Sequence, residues 1–185
     1  MGMVAGRTTK TNKLGYVVAL PISFFLANIN AFELGARSVN PKAETRVVFT
    51  GTFLDPAKEA AAANALLDQG VDVLGVIVDS PITVVQTAEK RNAYSVGYHS
   101  LGAQKFAPKG WIGGIAFTWG NLYTRFAKQV TDGAFKSDNI LGGLADDYLT
   151  LAPFGASVPA DAVSLVNAKK REFIGGKTHV FAGPL

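Results

Sequence analysis

Phe49-Thr50-Gly51-Thr52-Phe53-Leu54-Asp55-Pro56 is the stretch whose reading decides the fold. An apolar strand over Arg46–Thr50 runs into a Gly/Thr turn, and an aromatic stands directly ahead of Asp55 and Pro56. Asp at a helix cap accepts hydrogen bonds from orphan N–H groups of the first turn, and Pro in the first helical position loses only an N–H that has no partner. The octapeptide therefore reads as strand, turn and helix start. In an open α/β sheet, ligands bind beyond the carboxyl ends of the strands, beside such helix starts. Phe53 is either a stacking platform for a flat ligand or a core residue folded back beneath the turn, and the local pattern supports both.

The same rhythm extends on either side. Leu14–Leu20 reads as a strand, and Pro21 opens a helix whose Phe24, Phe25, Ile29, Phe32 and Leu34 are expected to cover one face of a sheet. Asn40-Pro41 ends that helix, because the residue before a proline is steered out of helical geometry. Asp55–Gln69 is an Ala-rich helix stopped by Gly70. Val73–Val78 is the third strand, Ser80 the expected cap and Pro81 the first residue of a helix reaching Arg91. Ala93–Gly97 is the fourth strand. Near-continuous apolar strands separated by amphipathic helices mark an α/β fold with a parallel sheet covered on both faces.

From Leu101 the pattern changes. A Gly/Pro/Lys loop leads into a strand over Trp111–Phe117, and a helix runs from Trp119 or Gly120 to Asp132, stopped by Gly133. Asn139–Leu144 and Tyr148–Ala152 read as two short strands, Pro159–Ile174 as a helix and His179–Ala182 as a last strand.

Composition narrows the function classes. A chain of 185 residues makes one ordinary domain that buries about 70% of its unfolded surface. With 48% hydrophobic and 17% charged residues, it is globular rather than disordered. The net charge of +4 is dispersed, and its densest cluster, Lys169-Lys170-Arg171, falls late in a helix where it complements the dipole. No basic face with interleaved aromatics appears, so no nucleic-acid partner is expected. The absence of cysteine excludes disulfides and thiol chemistry. Arg7, Lys10 and Lys13 ahead of Leu14–Leu26 imitate a secretion signal. Pro21, Ser23 and Asn28 interrupt that run, which is too short to span a bilayer as a helix and reads instead as the first strand and turn.

Right-handed crossovers bring four strand ends to one rim. They carry Pro21-Ile22-Ser23, Thr52-Phe53-Leu54-Asp55, Asp79-Ser80-Pro81 and Tyr98-His99-Ser100. Aromatic faces, carboxylates, hydroxyls, an imidazole and free helix N–H groups suit a polar, partly flat small molecule. Each residue also has a plainer role: Asp79 as a brace for the helix at Pro81, His99 as a surface residue, Trp119 as a packing residue at a hinge, His179 as a structural histidine. Catalytic patterns are thin. Two histidines without H-x-x-x-H or H-E-x-x-H spacing argue against zinc. No G-x-S-x-G elbow, G-x-x-x-x-G-K-[ST] loop or G-x-G-x-x-G fingerprint occurs, so neither cofactor nor metal is expected. Gly113-Gly114 sits inside a strand, where it allows close backbone packing. A Ser100/His99/Asp79 triad is disfavoured, because adjacent Ser and His do not normally face each other productively.

Several segments carry a resemblance. Thr9-Lys10-Thr11-Asn12-Lys13-Leu14-Gly15-Tyr16-Val17, Ile29-Asn30-Ala31-Phe32 and Gly35-Ala36-Arg37-Ser38-Val39-Asn40-Pro41 are similar to the middle of the Bmp (basic membrane protein) family. So are Thr52-Phe53-Leu54-Asp55-Pro56, Asp68-Gln69-Gly70-Val71-Asp72-Val73, Asp79-Ser80-Pro81, Gly97-Tyr98-His99-Ser100, Thr118-Trp119-Gly120 and Phe181-Ala182-Gly183-Pro184. The resemblance covers essentially the whole chain in order. It implies a type I periplasmic-binding-protein fold, with two α/β lobes and ligand between them, and a solute-binding component of an ABC importer that holds a purine base or nucleoside without catalysis. It implies a piece of a longer protein, short of most of the first lobe and of the C-terminal end. In that frame residues 1–11 are a remnant of a first-lobe helix, 12–110 the second-lobe core, 111–138 a crossing segment and 139–185 the return to the second lobe.

Carried over by position, Phe53 falls where the family keeps an aromatic that stacks on the purine. Asp79, Tyr98 and His99 fall on the cleft rim with Pro21 and Asp55, and Trp119 falls at the crossing. Leu101 departs from the family, which commonly has an aspartate there for ribose hydroxyls; this favours a free base or another flat heterocycle over a nucleoside. The implied partners are a purine base or nucleoside (adenine-like) and an inner-membrane permease. The implied location is the periplasm or a lipoprotein anchor at the membrane. Leu122, Tyr123 and Phe126 on the crossing helix are expected to promote self-association. The alternatives are an enzyme of a doubly wound α/β fold acting on a nucleotide or sugar, and a ligand-sensing regulatory module.

Overall fold

A computed structural model describes residues 1–181. Strands β1 (Lys13–Val18), β2 (Glu44–Phe49), β3 (Val73–Ile77), β4 (Tyr94–Gly97), β5 (Trp111–Phe117) and β6 (Leu149–Leu151) form one sheet in the order β2-β1-β3-β4-β5-β6. The first five are parallel and β6 is antiparallel to β5. Helices α1 (Gly2–Thr8), α2 (Ser23–Val39), α3 (Pro56–Asp68), α4 (Pro81–Lys90), α5 (Trp119–Thr131) and α6 (Ala160–Ile174) complete the fold, with a 3₁₀ turn at Leu101–Phe106. Right-handed crossovers that run first outward, from β1 to β2, and then back across to β3 put α2 and α3 on opposite faces. The contacts agree: α1 packs against α2 and α6, while α3 packs against α4 and α4 against the 3₁₀ turn.

The interior strands are buried on both faces, as their unbroken apolar runs require. In α2 the sheet-facing stripe is Phe25, Ile29, Phe32 and Ala36, at helical spacing. Phe24 and Leu34, expected on the same face, lie off this stripe and are exposed. Pro21 does not open α2, which starts at Ser23 after a residue with extended backbone at Ile22. Asn40 closes it with an extended backbone ahead of Pro41, as expected. Gly70, with φ of +84°, adopts the left-handed conformation that stops the chain after α3.

Three further expectations are corrected. Leu101–Phe106 is not a plain loop, because Ser100 Oγ accepts from Gly102 N (3.2 Å) and starts the 3₁₀ turn. Asn139–Leu144 forms no strand. The Gly143 N–H donates to Asp146 (2.9 Å) and its carbonyl accepts from Tyr148 (3.0 Å), so a tight turn consumes these groups and only Leu149–Leu151 reaches β5. Val180 and Phe181 make a turn rather than a strand, and Ala182, the end of that expected strand, lies outside the described residues.

Helix α1 is seated by glycines. A Cβ at Gly2 would fall 1.9 Å from the Phe32 carbonyl oxygen, and one at Gly6 would fall 2.6 Å from that of Ala36. Val4 and Ala5 are fully buried behind this contact. Asp72 then clamps the connection to β1 by accepting from Thr9 Oγ1 (2.5 Å) and the backbone N–H groups of Lys10 (2.6 Å) and Thr11 (3.1 Å). We expect Gly2→Ala to lift α1 off α2 and cost about 1–3 kcal/mol in urea unfolding. Gly120→Ala, with nothing within 4 Å of the added atom, is expected to be neutral or to stabilise by up to about 1 kcal/mol.

Candidate functional site

The rim at the carboxyl ends of the strands is built by hydrogen bonds that continue past the sheet. Thr50 N donates to Val18 O and Gly51 N to Ala19 O, both at 2.9 Å. Thr50 Oγ1 donates to Thr52 O at 2.7 Å and closes the turn. Asp79 N then donates to Phe53 O at 2.8 Å, joining the turn after β2 to the turn after β3 across the intervening β1. Phe53 is thus fixed through its backbone while its ring remains 44% exposed. One edge of that ring meets Phe25, with centroids 6.2 Å apart and planes at 70°.

Asp55 is the cap of α3. Its Oδ1 accepts from Lys58 N at 3.1 Å, and Pro56 takes the first helical position. Its own N–H donates to Glu59 Oε1 at 3.2 Å. Asp55 is therefore committed to holding the helix start that carries Phe53. Asp79 is exposed. Ser80, expected as a cap, has no side-chain bond to the helix backbone; its hydroxyl pairs with Thr83 Oγ1 at 3.2 Å. Pro21 is exposed just beyond β1.

Tyr98 is 4% exposed, so it lies beneath the rim rather than on it. Burial, and then the nearby Asp79 carboxylate, push its phenol pKa up. His99 has φ of +66°, a left-handed conformation in which histidine is enriched though uncommon. This turn sets the imidazole between two rings, Tyr98 at 3.9 Å and Phe117 at 5.0 Å between centroids. Burial lowers its pKa, opposed by Asp79. The array continues outward: Phe117 to Trp119 at 5.3 Å, then Trp119 to Tyr123 at 6.0 Å with planes only 15° apart. Trp119 is 48% exposed. The rim thus offers two aromatic surfaces, Phe53 over Phe25 and the His99–Phe117–Trp119–Tyr123 array.

Sequence reasoning passed over two residues here. Phe117 ends β5 and joins His99 to Trp119, a role visible only once β5 is placed beside β4. Glu59 is fully buried at the start of α3, and its Oε2 has no hydrogen-bond partner. The spacing of Asp55 and Glu59, one helical turn apart, was the available signal. Burial, then the neighbouring carboxylates of Asp55 and Asp79, raise the Glu59 pKa against the opposing Asp55 N–H and Ser80 contacts.

A raised carboxyl pKa means that the folded state holds the proton more tightly than the unfolded chain. The associated stability is complete below the unfolded pKa and is lost as pH rises through the folded value. Glu59→Gln keeps an acceptor for Asp55 N–H and removes the charge. We expect it to raise thermal stability at neutral pH, with the gain shrinking as pH falls toward 4; equal gains across that range would exclude a buried carboxylate penalty.

No helix among the described residues is long and apolar enough to cross a membrane. Among the same residues, no cluster of three His, Asp or Glu could hold a metal ion.

The family described as "Bmp: ABC transporter substrate-binding protein PnrA-like" matches residues 1–177. A purine-binding protein of Brucella abortus is 35% identical over 100% of this chain and 52% of its own length. An ABC transporter protein of Haloferax volcanii with a provisional glucose-binding assignment is 31% identical, over 98% of this chain and 46% of its own. The chain thus spans about half the length of these curated relatives. Among solved structures, an ABC transporter solute-binding protein of Conexibacter woesei is 25% identical with a TM-score of 0.76, covering 98% of this chain and 62% of that one. A transcriptional activator of the comK gene from Bacillus halodurans has a TM-score of 0.85 at 22% identity, over 96% of this chain and 61% of its own. This second likeness shows the fold alone.

Proposed function

The chain belongs to the Bmp family of PnrA-like ABC transporter substrate-binding proteins, and we propose that it forms one wall of a receptor that stacks a purine base on Phe53 for delivery to an importer. The observation that carries this reading is the Phe53 ring, held through its backbone at the rim and still half open to solvent. No bond is broken in this function. The ligand is held by stacking and hydrogen bonds while two lobes close over it. Asp79 is the acceptor for a ring or amino N–H, His99 the neighbouring imidazole, and Trp119 the aromatic at the edge of the cleft. Pro21 borders the same rim, and Asp55 supports it from below. Leu101, in place of an acidic residue suited to ribose hydroxyls, favours a free base over a nucleoside.

The larger division follows from the same reading. Residues 12–110 supply the core of one lobe, and residues 139–185 return to it. Residues 111–138 lead toward a second lobe, although 111–117 are themselves the strand β5 of this sheet. Helix α5 has no buried residue, as suits a segment covered by other chain. Residues 1–11 arrive from that other lobe, with α1 packed on α2. The working location of such a receptor is outside the permease-bearing membrane, free in the periplasm or held by a lipid anchor.

A sugar is the second reading, raised by the Haloferax relative; aromatic faces also carry pyranose rings. Calorimetric titration of the chain with adenine, adenosine and glucose separates the two. We expect weak adenine binding, since one wall is present, and loss of about ten-fold on Phe53→Ala. Submicromolar affinity would contradict a half-site, and a response to glucose alone would favour the sugar. Sedimentation supplies an independent check. Half-exposed Leu122 and Phe126 beside exposed Tyr123 are expected to give concentration-dependent association that Tyr123→Ser weakens; a clean monomer at high concentration would contradict this.

A further inference from the structure

A cavity lies away from Phe53. It occupies the α2 face of the sheet, has a volume of about 420 Å³, and is bounded by α1, α2, α6, the strands β1, β4, β5 and β6, and residues 178–180 after α6. That volume lies within the range of about 300–1,000 Å³ usual for small-molecule sites. Its inner wall is apolar, with Phe32, Val96, Ile115 and Leu149. Two phenols break that wall, those of Tyr16 and Tyr98. Both residues are more than nine-tenths buried, at 7% and 4% exposure, and both line the cavity. The Tyr16 ring is locked in place by Phe32, which meets it edge-on at 5.2 Å.

A ligand oxygen placed against a phenol hydroxyl accepts its hydrogen bond. Burial raises the pKa of both phenols, and each sits close enough for Tyr98 to raise Tyr16 further. Both therefore stay protonated near neutral pH and can only be matched by an acceptor or by a group that accepts as well as donates. A carbonyl oxygen has two lone pairs and can take both O–H donors. Lys169, on α6, is paired with Glu172 at 2.5 Å, and burial lowers the pKa of the Met1 α-amino group, which also borders the cavity, to about 6.

We infer that this cavity between α2 and α6 is a second ligand site, for an uncharged ring compound whose carbonyl oxygen accepts hydrogen bonds from Tyr16 and Tyr98. It does not involve Phe53. Tyr98 belongs to the β4 end that also carries His99, so occupancy would be felt at the rim through the Tyr98–His99 contact of 3.9 Å.

The test uses coumarin, an uncharged bicyclic lactone, titrated against the whole chain by ligand-observed NMR. Saturable binding at one site is expected, weakened about five-fold by Tyr16→Phe and by Tyr98→Phe, the loss typical of one neutral hydrogen bond. Ala31 also lines the cavity, from α2, and Ala31→Leu is expected to abolish binding by filling the space. Urea unfolding of each variant confirms that it is folded. Absence of saturable binding to the wild-type chain would overturn the proposal as a cavity holding water only. Binding equally strong in folded Tyr16→Phe, Tyr98→Phe and Ala31→Leu chains would overturn it by placing coumarin elsewhere.

Discussion

A single backbone hydrogen bond, Asp79 N–H to the Phe53 carbonyl at 2.8 Å, sets the geometry on which the candidate site depends. β2 and β3 are not neighbours in the sheet; β1 lies between them. Their carboxyl-terminal turns reach over β1 and meet. An exposed aromatic on an unsupported loop would lose most of its stacking value to the entropy of ordering it. Here the turn is ordered in advance by this bond, by the Thr50 hydroxyl and by the Asp55–Glu59 pair below it. Preorganisation of this kind raises affinity without adding any contact to the ligand.

Glu59 shows what that order costs. A carboxyl group fully removed from water, with one oxygen unpartnered, destabilises the fold in its charged form. It remains where it can accept the Asp55 N–H and complete the cap region. The Phe53 turn is therefore held by a group that is itself under electrostatic stress. At the other end of the rim, Tyr98 and His99 are shifted by burial in the same sense, toward their neutral forms. Asp79 and His99 are exposed there, while Tyr98 is buried.

Much of this architecture was legible in the residues. The Asp55-Pro56 start, the Gly70 stop and the apolar runs of β1 and β3 each obey a local rule, and each holds in the structure. The misreadings share a cause. Asn139–Leu144 forms no strand because strand formation needs a partner, and the Gly143 turn leaves none. Phe24 and Leu34 fall outside the sheet-facing stripe of α2, which is narrower than its apolar content suggests. Within the site, Phe53 and Asp79 could be placed on one rim from topology alone. Tyr98's burial, Phe117's bridging position and Glu59's missing partner arise from packing between segments far apart in sequence.

The two tryptophans occupy opposite environments. Trp111 is buried, fills the space left by Gly97 and donates its indole N–H to the Pro153 carbonyl at 3.0 Å. Trp119 stands at the rim, stacked on Tyr123. Intrinsic emission from this molecule is therefore the sum of a blue-shifted interior signal and a red-shifted surface signal, one reporting global melting and the other the state of the rim. Replacing either indole by Phe would give a chain with one fluorophore, sensitive to only one of these events.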